Sequence, residues 1–99
     1  MPKIAWYKSF YFFFVAFDLT ERQHLHVSNS KKGFNSSAKI WLDDFSIFEM
    51  GDLTVEELNE IQKVVETNIT TLKKQIETYE AKGKVKIIEL KKKIKKDVK

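Results

Sequence analysis

The longest regular pattern in the chain lies between residues 54 and 81, which read TVEELNEIQKVVETNITTLKKQIETYEA. Thr54 and Glu57 have the Thr-x-x-Glu spacing of a capping box, in which each side chain satisfies a free backbone N–H of the other residue. Apolar residues then recur on average every 3.5 residues: Leu58, Ile61, Val65, Ile69, Leu72, Ile76 and Tyr79. This spacing predicts one long amphipathic helix over 54–81.

The predicted helix has more apolar length than a small sheet can bury. At about 40 Å it is longer than a three-stranded sheet, so we expect its surplus stripe to dock a second copy of the chain or a partner. The residues 68–71, Asn-Ile-Thr-Thr, have the weakest helix propensity and are the expected place for a break. Gly83 is a natural helix end.

The segments before the helix have the composition and alternation of strands. Residues 3–17 end in an aromatic run, FYFFFVAF, which is typical of a strand buried on both faces. Residues 24–28 and 38–43 alternate between apolar and polar side chains, and 45–48 is a possible fourth strand. The predicted fold is therefore α+β, with an antiparallel meander of three to four strands packed on one long C-terminal helix, followed by a basic tail.

The length of 99 residues accommodates one domain, which we place at 1–83, with a lysine-rich tail at 84–99. The chain has no cysteine, which excludes disulfides, thiol catalysis and cysteine-rich zinc sites. No glycine-rich phosphate loop, His-Glu-x-x-His helix or calcium loop occurs, and we expect no cofactor. The aromatic run is too short to span a bilayer and lacks a cleavage pattern, so a cytoplasmic protein without membrane contact is expected.

The net charge of +4 belongs to the tail. Residues 82–99 hold nine lysines against Glu89 and Asp97, whereas residues 43–66 hold eight acidic side chains against Lys63. Such a tail is a solubilising extension, a strap onto an acidic surface, or a non-specific RNA arm. The lysines available to an RNA arm are Lys91, Lys92, Lys93, Lys95 and Lys96.

The chain has two histidines, His24 and His26, two residues apart on a predicted strand. Both imidazoles therefore leave the same face, about 6.7 Å apart along the chain. The pair could act as acid and base in RNA cleavage, with Arg22 stabilising the phosphate charge. It could also bind a metal, with a third ligand from Asp43, Asp44 or Glu49. The structural alternative is a half-buried pair that hydrogen-bonds locally or binds a partner.

Trp41 lies on the nominally polar face of its strand, beside Lys39 and opposite in direction to Ile40 and Leu42. A tryptophan in this position is either covered by the helix or tail, or offered to a partner protein or a base. We therefore regard Trp41 and Lys39 as candidate contacts for a partner or nucleic acid.

Three segments in the same order resemble the bacterial family known as Domain of unknown function 4160. They are the His-aliphatic-His-Val strand at 24–27, the Ala-Lys-x-Trp-Leu-acidic strand at 38–43, and Gly51-Asp52-Leu53-Thr54 leading into Glu57-Leu58. The resemblance covers about residues 3–80. Gln23 and Asp44 stand at positions where the family often has proline. The resemblance implies a place beside another small domain, in a toxin–antitoxin-like pair.

We therefore expect a small interaction or regulatory module, with a cognate protein or a second copy bound through the helix 54–81. The first alternative is a metal-independent ribonuclease-type toxin that uses His24, His26 and Arg22. The second alternative is a metal-binding module built on the two histidines.

Overall fold

A computed structural model describes residues 3–14, 23–32 and 37–91 of the chain. In chain order the strands and helices are β1 (Lys3–Tyr7), β2 (Phe10–Phe14), β3 (His24–Asn29), β4 (Ala38–Trp41), β5 (Ile47–Glu49), α1 (Val55–Thr67), α2 (Ile69–Lys82) and β6 (Ile88–Glu89). One 3₁₀ turn, Ser30–Lys32, follows β3. The strands form one sheet in the order β5-β4-β3-β2-β1-β6.

The fold is α+β, but the prediction of a three- to four-stranded antiparallel meander is wrong. Within the described residues the sheet has six strands and is mixed, because β6 pairs with β1 in parallel while the other neighbours are antiparallel. The expected single strand at 3–17 is a hairpin in its described part, and it turns at Lys8, whose φ is +54°. Glu60 of α1 anchors this turn. It accepts a hydrogen bond from Tyr7 Oη at 2.7 Å and forms an ion pair with Lys8 Nζ at 2.8 Å.

The prediction of one long helix is also wrong, because the chain breaks at Asn68 into α1 and α2. The break lies in the stretch of weakest propensity. The side-chain amide of the buried Asn68 donates to the carbonyl oxygens of Val64 and Lys91, both at 2.7 Å, and the backbone of Asn68 leaves helical geometry with φ −108° and ψ 19°. The predicted capping box is confirmed, since Thr54 Oγ1 accepts from Glu57 N at 3.1 Å and Glu57 Oε1 accepts from Thr54 N at 2.8 Å.

The wider sheet accommodates the apolar stripe of the helices. Leu58, Ile61, Val65, Leu72 and Ile76 are all buried in the core, and Ile69 and Tyr79 pack against it. The stripe therefore has no exposed surplus within this chain, and an interface through the helix 54–81 would use its polar side.

Successive side chains of β2 point to opposite faces of the sheet. Phe10, Phe12 and Phe14 are buried in the core, whereas Tyr11 and Phe13 are half-buried on the opposite face. The expectation that this strand is buried on both faces is therefore wrong for its odd-numbered residues.

The first part of the segment 84–99 packs against the sheet. Leu90 is buried and its N–H donates to the carbonyl of Trp6 at 2.8 Å, just after β6. The alternating residues 84–87, which favour an edge strand, precede the strand that actually forms at Ile88–Glu89. In the described part of the chain, no helix has the length and hydropathy that crossing a membrane requires.

Candidate functional site

The candidate site is the face of the sheet that points away from the core. The strand registers, with one bulge in β5, direct twelve side chains of the described residues to it: Lys3, Trp6, Tyr11, Phe13, His24, His26, Ser28, Lys39, Trp41, Phe48, Glu49 and Glu89. We call this surface the open face. The helices α1 and α2 contribute to the core on the other side, so neither of them covers the open face.

A cluster of four aromatic rings forms one end of the open face. Trp41 and Phe48 stack with ring centroids 4.0 Å apart and planes 19° apart. The His24 ring meets Trp41 and Phe48 edge-on, at 5.5 Å and 5.6 Å, and stacks on His26 at 5.2 Å. Such contacts fix ring orientation, and each contributes about 1 kcal/mol beyond burial.

A β-bulge in β5 sets the consecutive residues Phe48 and Glu49 on the same face. Ile47 lies opposite Ile40 but Glu49 lies opposite Lys39, which leaves Phe48 as the extra residue of β5. A bulge re-aims a side chain at the edge of a sheet. The bend before β5 is held at Phe45, whose φ is +63° and whose carbonyl accepts a hydrogen bond from Gln62 of α1. Phe48 remains 42% exposed.

Charged residues flank the rings. The Lys39 ammonium forms an ion pair with Glu49 at 3.4 Å, and the Lys3 ammonium lies 5.0 Å from the Tyr11 ring centroid. Burial lowers the pKa of His26, and the neighbouring His24 and Lys39 lower it further, against the opposing effect of Glu49. The His26 imidazole is therefore mainly neutral near pH 7.

The lowered pKa of His26 predicts a loss of stability in acid. The unfolded histidine has a pKa of about 6.5, so below that pH the unfolded chain binds more protons than the folded one. The contribution of neutral His26 to the free energy of unfolding is complete above pH 6.5, and it is lost as the pH falls towards the lowered pKa of His26 in the folded chain. We expect the free energy of unfolding to decline more between pH 7.5 and pH 5 (about the histidine range) in the wild type than in His26→Gln. Urea unfolding at both pH values measures this, and parallel declines would contradict it.

The structure brings some of the predicted site residues together on the open face and places others elsewhere. His24, His26, Lys39 and Trp41 lie together on the open face. Arg22 lies outside the described residues, so its part in a ribonuclease site stays a prediction. Lys91 is exposed at the end of β6, away from the rings. Four other lysines of the proposed RNA arm, Lys92, Lys93, Lys95 and Lys96, lie outside the described residues.

The metal interpretation gains no third ligand from the structure. Among the residues described, no three histidine, aspartate or glutamate side chains come together as a metal-binding group. Asp44 instead caps its own turn, since Oδ1 accepts from the N–H and the hydroxyl of Ser46 at 2.9 Å and 2.7 Å.

Sequence reasoning missed Trp6, Tyr11 and Phe13 as surface residues. The continuous aromatic run of β2 has no polar position to show which side chains face outward, and Trp6 carries no local signal. Alternation within 45–48 was a usable signal for Phe48, since Phe48 follows the inward-facing Ile47; the bulge that also sets Glu49 on this face has no local signal.

The comparison with family models agrees with the three segments noted in the sequence. The model of the family described as Domain of unknown function (DUF4160) matches residues 9–77, more than half of the chain. No curated protein and no solved structure matches the chain.

Proposed function

Since the chain belongs to the family described as Domain of unknown function (DUF4160), a description that names no activity, we propose a function from its surface chemistry. The protein is a small interaction module that binds a protein partner through the open face. The observation that carries this proposal is the set of aromatic side chains that this face leaves half-buried.

The composition of the open face resembles the centre of a protein interface. Tryptophan, tyrosine and phenylalanine are enriched in interface cores, where they supply large contact area with few rotatable bonds. Trp6, Tyr11, Phe13 and Trp41 are half-buried and Phe48 is exposed. A large apolar patch of this kind on a soluble domain marks a binding surface.

The partner in this proposal is the other component of a toxin–antitoxin-like pair. Support for this comes from the family resemblance alone, which implies a second small domain encoded beside this one. Expressing the chain with and without the product of its adjacent gene, and scoring growth and co-purification, tests the pairing. Growth unaffected by either protein, with no co-purification, would contradict it.

Trp41→Ala should weaken partner binding by about 10-fold or more, because truncating this tryptophan removes both contact area and the stacking support of Phe48. Isothermal titration with the co-purified partner measures the effect. Val55→Ala is the matched control, since Val55 is 62% exposed at the start of α1 and lies outside the open face. Equal binding by wild type and Trp41→Ala would remove the open face from the interaction.

The ribonuclease-type toxin remains the alternative, favoured by one observation. A general base must be unprotonated, and burial keeps the His26 imidazole neutral. Against it, the rings of His24 and His26 stack on each other on one face of the sheet. In-line transfer at phosphorus needs the general base and the general acid on opposite sides of the phosphorus atom. Substituting both histidines with asparagine distinguishes the two functions, because it would abolish RNA cleavage and toxicity in an enzyme, whereas in an interaction module it would reduce partner binding only in part.

A further inference from the structure

We propose that a second copy of this chain occupies the open face in the absence of another partner, related by a two-fold axis parallel to β3. This inference rests on the proposed function, which makes the open face a protein interface, and it names the occupant and its orientation.

The strand registers place five residues in one row across the open face. Each is directly opposite the next on the neighbouring strand, in the order Lys3, Phe13, His26, Lys39, Glu49. Directly opposite residues share a face of the sheet. Because neighbouring strands are about 4.8 Å apart, the backbone positions of Lys3 and Glu49 are about 19 Å apart.

This row is complementary to itself when it is reversed. His26 stands in the middle, with Phe13 and then Lys3 on one side and Lys39 and then Glu49 on the other. A 180° rotation about an axis along β3, which brings a second copy face to face, sets β1 against β5 and β2 against β4. Lys3 then meets Glu49 of the second copy, and the Phe13 ring meets its Lys39 ammonium, a cation–π pair. Two-fold symmetry makes each contact occur twice.

The charges also select this axis over its alternative. A two-fold axis across the strands would set β1 against β1 and β5 against β5, and each end of the row would then face its own charge. Like charges brought together across an interface cost several kcal/mol. Glu49 can accept a second cation because its side chain stays 51% exposed beside Lys39.

The rest of the open face supplies apolar area for such a dimer. Trp6 and Tyr11 lie on one side of the row, and the cluster of Trp41 and Phe48 lies on the other. Facing sheets pack about 10 Å apart with interleaved side chains, a gap that residues of this size fill. The row contains two cations and one anion, which is a weak field for a polyanion, whereas nucleic-acid grooves are strongly positive.

Two charge reversals test the orientation of the dimer. Sedimentation equilibrium of the full chain, from about 5 to about 500 µM to cover weak interfaces, should show a monomer–dimer equilibrium for the wild type. Lys3→Glu and Glu49→Lys should each raise the dimer dissociation constant about 10-fold or more. An equimolar mixture of the two variants should dimerise like the wild type, because each chain then offers the charge that the other needs. The double variant Lys3→Glu/Glu49→Lys should also recover.

Recovery in the mixture reports a contact between chains, since about 19 Å separates the two positions within one chain. Lys63→Glu and Glu77→Lys, on exposed helix positions, are the matched controls and should leave dimerisation unchanged. Circular dichroism and thermal unfolding verify that each variant is folded. If a single variant does not fold, the dissociation constant of the double variant Lys3→Glu/Glu49→Lys is compared with that of the wild type instead.

Three results would overturn the inference: a monomeric wild type over the whole range, unchanged dimerisation of both single variants, or a mixture that does not recover. Retention of single-stranded RNA that depends on Trp41, by a chain that stays monomeric, would assign the open face to nucleic acid instead. A monomeric wild type whose partner binding depends on Trp41 would end the second-copy inference and leave the proposed function standing. A partner insensitive to Trp41→Ala, together with a monomeric chain, would overturn both.

Discussion

Phe12→Ala should lower the free energy of unfolding by about 3–5 kcal/mol, the range for truncating a buried phenylalanine. Phe12 is fully buried on β2, directly opposite Ala5 and Val27, two smaller residues that cannot fill the cavity. The neighbouring substitution Phe13→Ala should cost only about 1 kcal/mol or less, because Phe13 lies half-buried on the open face.

Urea unfolding of both variants measures this contrast between adjacent positions. The two side chains are chemically identical and one residue apart, so composition and strand propensity cancel in the comparison. Losses of similar size would mean that both sides of β2 are packed, and the open face would then not be a free surface.

Gly51→Ala should be the second severely destabilising substitution, at about 2–5 kcal/mol. A Cβ at Gly51 would lie 2.4 Å from the carbonyl carbon of Ser37 and 2.6 Å from Ala38 N, both backbone atoms that cannot rotate away. The φ of +57° adds the cost that a side chain has in the left-handed region. The start of β4 must move to admit the methyl group, and the Trp41 cluster should be disturbed with it.

Gly83 provides the control for this substitution. It also has a positive φ, +75°, but a Cβ there would meet nothing within 4 Å. Gly83→Ala should therefore cost only the backbone term, about 1–2 kcal/mol, and the remainder at Gly51 measures the close approach. Thermal unfolding followed by tryptophan fluorescence gives both values. Equal shifts in Tm would show that the approach of Gly51 to Ser37 contributes nothing.

The parts of the fold that the sequence predicted are those encoded by local patterns. The Thr54 and Glu57 capping box, the amphipathic periodicity after it, and the alternation around His24 and His26 each lie within one segment. The helix break falls where propensity is weakest, at Asn68. Family membership likewise follows from short motifs in order.

The parts that the sequence could not predict depend on distant contacts. The hairpin turn at Lys8 contains no glycine or asparagine, and it is held by Glu60, which is 52 residues further along the chain. The strand β6 has two residues and exists because it pairs with β1 from the other end of the sequence. The bulge that sets Glu49 on the same face as Phe48 has no local signal in the sequence.

The candidate site was therefore predicted in part. Period-two alternation was enough to bring His24, His26, Lys39 and Trp41 to one face. The number of strands decided the rest, since a six-stranded sheet buries the helical stripe and leaves the aromatic face as the surface available to a partner.

The parallel pairing of β6 with β1 has a consequence for synthesis on the ribosome. β1 leaves the ribosome before β6, and β6, which completes the free edge of β1, is translated only after both helices. Until then β1 carries unpaired backbone groups that another nascent polypeptide could join. Slow translation before residue 88 should therefore increase aggregation of this chain, and a chaperone that shields β1 should reduce it.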